Sequence, residues 1–330
     1  MGNESAAGDV MLWAEPSRAS ALIEAVRAAG LRLSAIGGVD SGSLDSLQLD
    51  DDVRIFDDLR ATAVERKPKV LLISAPTGGE EPALDSRTIS TLRAAGTVIL
   101  TSVPTVNGIL EAAEIGLFRE SDGVTPASSI RLAPRVRRHP SFVAAADVFE
   151  TFGRVNLMTV ESFATRSAGG LTASMLSAID AVMTVIGVPE LADAAAARPT
   201  KRLVDLDGSV AALLRFPDGR CGQLMVSDRG PWGWRVTLTG DSGRLTIRPS
   251  GFDWITPDGE RKDESRIAPE ASGYESTLAA LLKEAAQGTM ADSMTDWVGL
   301  LSTAEAVLLS SRTGQPEAPD MIARAAHSSV

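Results

Sequence analysis

Over the first 134 residues, short unbroken apolar runs alternate with stretches whose apolar residues recur every three or four positions, which predicts parallel strands connected by helices. Residues 10–12 form the first run, which ends at Ala14-Glu15-Pro16-Ser17. Ala21, Leu22, Ala25, Val26 and Ala29 then keep helical spacing until Gly30. Residues 31–36 read as a second strand closed by Gly37-Gly38, and residues 69–74 as another, apolar enough to be covered on both faces. Leu84, Thr88, Leu92 and Ala95 mark a helix capped by Gly96, followed by a strand from 98 to 100 that runs out at Val103-Pro104. Turn formers fill residues 120–128, which predicts a loop before a strand at 130–133.

The second part has a different rhythm. Met175, Ile179, Val182, Met183 and Ile186 form one stripe along a helix over residues 170–186. Beyond it, Val210, Ala212, Leu214 and Phe216 share one parity, and Trp234, Val236 and Leu238 alternate with polar residues, the pattern of half-buried antiparallel strands. Asp207-Gly208, Asp218-Gly219 and Asp258-Gly259 supply turns, and two amphipathic helices follow, around Leu278 to Ala285 and Trp297 to Leu308. Ala194 to Ala197 reads as a loop beside a helix. The expected class is α/β: a Rossmann-like doubly wound parallel sheet over residues 8–134, then an α+β domain with a large, mainly antiparallel open sheet over residues 135–330.

Charge and cysteine content narrow the partners. A formal charge of −11 provides no basic surface for a phosphate backbone, so nucleic acid is not expected. The single Cys221 excludes an internal disulfide and a cysteine-rich zinc site, and it falls in a strand pattern. No signal-peptide pattern, myristoylation pattern or membrane-length apolar run is seen, and a cytoplasmic protein is expected.

Four segments resemble the sugar and polyol oxidoreductases of the Gfo/Idh/MocA family. Arg54-Ile55-Phe56-Asp57-Asp58-Leu59, with Lys69 through Ala75-Pro76, is similar to that family's third and fourth strands and the proline loop beside the nicotinamide. Arg137-Arg138-His139-Pro140-Ser141-Phe142 resembles the crossing into the second domain. Gly169-Gly170 through Asp180 to Gly187-Val188-Pro189 is similar to its signature helix, and residues 211–222 with 234–245 to its strand pairs.

The resemblance implies a dehydrogenase that passes a hydride to a nicotinamide while a side chain takes the hydroxyl proton. The dinucleotide would lie on Ala14, Glu15, Ser17, Gly38, Ala75, Pro76, Val103 and Pro104, and substrate on Arg137 and Asp180. Yet the glycine-rich turn is replaced by Trp13-Ala14-Glu15-Pro16-Ser17-Arg18, in which Pro16 has no amide hydrogen. A Glu15 carboxylate about 4 Å from a phosphate would cost on the order of 4 kcal/mol at an effective dielectric of about 20.

Gly37-Gly38 stands where an acid grips the adenosine ribose, with Asp40 either a substitute or part of an ordinary turn. Val103 replaces the family's lysine, and Ser177 its histidine, one turn before Asp180. His139 is expected to make structural hydrogen bonds. The expectation is therefore a degenerate, pseudoenzyme-like relative that needs no cofactor, binds a small carbohydrate-like ligand or a partner, and forms a homodimer through the second sheet. The alternative is a working NAD- or NADP-dependent sugar or polyol oxidoreductase with Asp180 as base.

Overall fold

The computed structural model describes residues 8–76, 83–103, 106, 108–115, 130–167, 169–290 and 295–328. These fall into two compact units. The first takes the residues up to 107 together with 111–133 and 278–295; the second takes 108–110, 134–277 and 296–330.

In chain order the elements begin β1 (Asp9–Trp13), α1 (Pro16–Ala28), β2 (Arg32–Gly37), α2 (Ser41–Leu44), β3 (Arg54–Phe56), α3 (Leu59–Arg66) and β4 (Val70–Ile73). Then come α4 (Ser86–Ala94), β5 (Val98–Thr101), α5 (Ile109–Glu114) and β6 (Ile130–Leu132). The six strands form one parallel sheet in the order β3-β2-β1-β4-β5-β6. All four residues of β4 are buried, as its unbroken apolar run requires of a central strand covered on both faces. α1 buries Ala19, Leu22, Ile23, Ala25 and Val26 as a single stripe. The predicted loop at 120–128 lies outside the described residues.

The chain continues with α6 (Pro140–Ala146), α7 (Phe149–Phe152), β7 (Val155–Phe163), α8 (Gly170–Val185), β8 (Leu191–Ala196), β9 (Ser209–Arg215) and β10 (Cys221–Ser227). It closes with β11 (Gly233–Gly240), β12 (Gly243–Arg248), β13 (Gly251–Ile255), β14 (Arg261–Arg266), α9 (Tyr274–Gln287), α10 (Trp297–Thr313) and α11 (Pro319–Ser328). The eight strands form one sheet in the order β14-β13-β12-β11-β7-β10-β9-β8, antiparallel throughout except that β10 runs parallel to β7. One face of β7, β9 and β10 is covered: Met158, Val160, Leu214, Leu224 and Val226 are buried there, and α8 packs on β7 and β10.

The stretch expected as a loop at Ala194 to Ala197 is largely strand. β8 pairs with β9 from Leu191↔Arg215 to Ala196↔Val210, so ladder hydrogen bonds hold alanines that have little strand preference of their own. Trp234 is buried, as its parity predicted, and Cys221 lies half-buried on β10.

Candidate functional site

The expected dinucleotide positions gather along the C-terminal edge of the six-stranded sheet. Strand order reverses between β1 and β4, and in sheets of this type ligands lie outside the strand ends at such a switch point. Ala14 follows β1, Gly38 follows β2, Ala75 and Pro76 follow β4, and Val103 follows β5. Backbone bonds continue past the strands and fix this edge: Ala14 N donates to Gly37 O at 3.0 Å and Ser74 N to Trp13 O at 2.8 Å. Pro104 lies outside the described residues.

At the first turn, Glu15 is the residue before α1, in extended conformation and without a side-chain capping bond, and Pro16 opens the helix. The Arg18 amide is spent on Glu15 O at 3.0 Å, and Ser17 is exposed in the first turn. A phosphate here would meet the positive end of α1 and the Ser17 hydroxyl, with the Glu15 carboxylate opposing it.

Gly38 has φ +77°, and a Cβ on it would come within 2.7 Å of Ala14 O, so only glycine fits where the ribose acid was sought. Asp40 caps a helix. Its carboxylate accepts from Ser43 N at 2.7 Å at the start of α2, and that bond holds its pKa below the ordinary aspartate value. Trp13 and Phe56 stand 5.8 Å apart between ring centres on the same edge. Val103 is 1% exposed, a packed apolar side chain where the resemblance placed a lysine.

The second unit assembles the other candidates around α8. The segment after β6 runs along this helix, and Arg135 N donates to Ser177 Oγ at 3.0 Å while Arg135 Nη1 donates to Ser174 Oγ at 3.1 Å. Ser177 is thus a buried anchor for the crossing segment. One turn on, Arg137 Nε approaches Asp180 Oδ2 at 2.9 Å, an ion pair whose N–H is too poorly aligned to count as a hydrogen bond. Burial pushes the Asp180 pKa up to about 6, and Arg137 only partly opposes it.

His139 is fully buried between Ser141 Oγ at 2.8 Å and Ser272 O at 3.1 Å, and burial lowers its pKa. It makes structural hydrogen bonds, as expected. Arg135 was not anticipated, although a buried arginine in the apolar stretch after residue 130 was a legible signal; its guanidinium also sits 5.5 Å from the Tyr274 ring centre. Among the described residues no group of three or more His, Cys, Asp or Glu could hold a metal ion. Nor is any helix among them long and apolar enough to cross a membrane.

No family model matches this sequence, and no curated protein matches it. Solved structures do. An oxidoreductase from Agrobacterium radiobacter, in complex with NAD+, L-tartaric acid and magnesium, superposes with a TM-score of 0.68 at 13% identity over 96% of this chain and 99% of its own. Levoglucosan dehydrogenase with NADH and levoglucosan gives 0.70 at 14% identity, over 94% of this chain and 98% of its own. A myo-inositol dehydrogenase from Corynebacterium glutamicum gives 0.64 at 16% identity, over 94% and 98%.

This chain has the Gfo/Idh/MocA fold. The expectation that no cofactor is needed is corrected by the same structures, since two proteins built on this fold hold NAD+ or NADH. The glycine-rich turn is one way to meet a phosphate; a helix start with its dipole and a hydroxyl is another.

Proposed function

We propose that this Gfo/Idh/MocA-fold chain binds a nicotinamide dinucleotide at the edge formed by Ala14, Glu15, Ser17, Gly38, Ala75, Pro76 and Val103, and a small hydroxylated ligand at Arg137 and Asp180. The lysine and histidine chemistry of ordinary alcohol dehydrogenation is lost. One observation carries that loss: Ser177 Oγ accepts from Arg135 N, and His139 is bonded to Ser141 and Ser272 instead, so no histidine bonded to this hydroxyl is seen among the described residues. The solved relatives support the ligand classes, as they contain NAD+ or NADH with L-tartaric acid or levoglucosan.

Each residue then has a defined task. Ser17 and the start of α1 hold a phosphate, with Glu15 weakening that hold. Arg137 orients a ligand oxygen. When bound, a nicotinamide would supply hydride acceptance.

Calorimetric titration with NAD(H) and NADP(H), followed by an absorbance assay over a panel of tartrate, levoglucosan and inositol, tests the reading. Saturable cofactor binding without turnover is expected. Glu15→Gly should tighten the cofactor about tenfold, a fraction of the Coulomb cost above because the carboxylate is only half-buried.

A second reading has a specific observation in its favour: Asp180, with its pKa raised to about 6, is suited to accept a hydroxyl proton near neutrality. It expects turnover of at least one polyol, abolished in Asp180→Asn, with a pH profile rising through about 6. The same proposal includes a homodimer through the second sheet, because Leu157, Leu213 and Met225 are exposed on the face of β7, β9 and β10 turned away from α8.

A further inference from the structure

A cavity of about 680 Å³ opens in the second unit where β7 ends and β11 begins. Its volume is that of a small-molecule site. The wall combines the Trp232 indole and Pro249 with Glu161, Arg229, Arg235 and Arg248. None of Arg137, Ser177 and Asp180 lines it, so the cavity stands independently of the dehydrogenase reading.

The local charge runs against that of the molecule. In a chain of formal charge −11, three arginines and one glutamate line this wall. The arginines are not equally committed. Arg229 is held by Asp207 and Asp228, each at 3.2 Å. Arg235 stands 3.5 Å from Glu161 and Arg248 4.0 Å from Asp253, ion-pair distances longer than a charge-assisted hydrogen bond. Both side chains are about half exposed, at 50% and 48%, and neither guanidinium makes a hydrogen bond among the described residues.

Two forked donors therefore flank an aromatic face. That face is supported from behind: Trp232 lies 6.4 Å from the ring of His139, which is itself fixed to Ser141 and Ser272. A planar indole accepts the apolar face of a ring, a guanidinium fork matches a carboxylate or phosphate, and Glu161 can accept from a hydroxyl. We propose that this cavity binds a hydroxylated ring compound bearing an oxyanion, a sugar acid or a sugar phosphate.

Isothermal titration of the full chain with D-glucuronate, glucose 6-phosphate and glucose tests this. Saturable binding of at least one of the two acids is expected, with glucose at least tenfold weaker. Whichever acid binds identifies the oxyanion as carboxylate or phosphate. Arg248→Gln, an exposed change that leaves the core intact, and Trp232→Ala should each weaken the acid at least tenfold.

The proposal is overturned if neither acid saturates, if glucose binds equally well, or if the loss appears in Asp180→Asn and not in Arg248→Gln. It is overturned as well if Arg248→Gln alters the mass in sedimentation while the isotherm stays the same, since the arginines would then belong to a contact between copies.

Discussion

Asp180 shows how one buried carboxylate makes stability depend on pH. Its folded pKa of about 6 lies above the ordinary aspartate value of 3.8, so the native state holds the proton more tightly than the unfolded chain does. That contribution is complete below about pH 4 and is lost as pH rises through about 6, on the order of 3 kcal/mol in all. Urea unfolding at steps between pH 4 and 7 should show wild type losing stability relative to Asp180→Asn; parallel curves would mean that the group does not titrate in this window. Glu305, half-buried and pushed up in pKa by desolvation, acts with the same sign, and Asp85, pulled down by its bond to Thr88 N, acts with the opposite sign at lower pH. Gly38 offers a purely steric test. Gly38→Ala must place a methyl near Ala14 O at a positive φ, and a loss above about 1 kcal/mol is expected in the same assay.

At the scale of elements, α1, α4, α8, α9 and α10 were legible from apolar residues at helical spacing, whereas α3 was not read, and the caps came from the structure. Asp58, Asp85 and Asp296 each precede a helix and accept from a backbone amide in its first turn, the bond that a short carboxylate supplies best. Asp296→Ala should therefore destabilise α10 by about 1 kcal/mol, read as a fall in the thermal midpoint. β8 was not legible, for a reason visible in its residues. Leu191–Ala196 is mostly alanine, and the strand exists because β9 offers a ladder and Ser310 Oγ on α10 accepts from Ala194 N at 2.9 Å. The same limit applies to Ser177: its spacing to Asp180 could be counted, but its bond to Arg135 N joins residues 42 positions apart.

For the whole molecule, the open face of the eight-stranded sheet sets the prediction. Leu157, Leu213 and Met225 are between 38% and 42% exposed, side chains that a partner copy would cover. Sedimentation should give a dimer that Leu213→Glu shifts toward monomer without changing the circular dichroism; a wild-type monomer at all concentrations would remove the dimer.

By itself the sequence determined the alternation of parallel strands and helices in the first part and the half-buried strands of the second, because periodicities of two and of three to four residues are local properties of side chains on a backbone. It also determined which chemical groups are present, including a valine and a serine where the resemblance implies a lysine and a histidine. Only the tertiary structure decided what those groups can do. Burial lifted the pKa of Asp180, and the meeting of β7 with β11 brought Glu161, Arg235 and Arg248 around Trp232. Desolvation and long-range proximity depend on the fold as a whole, and no window of neighbouring residues encodes them.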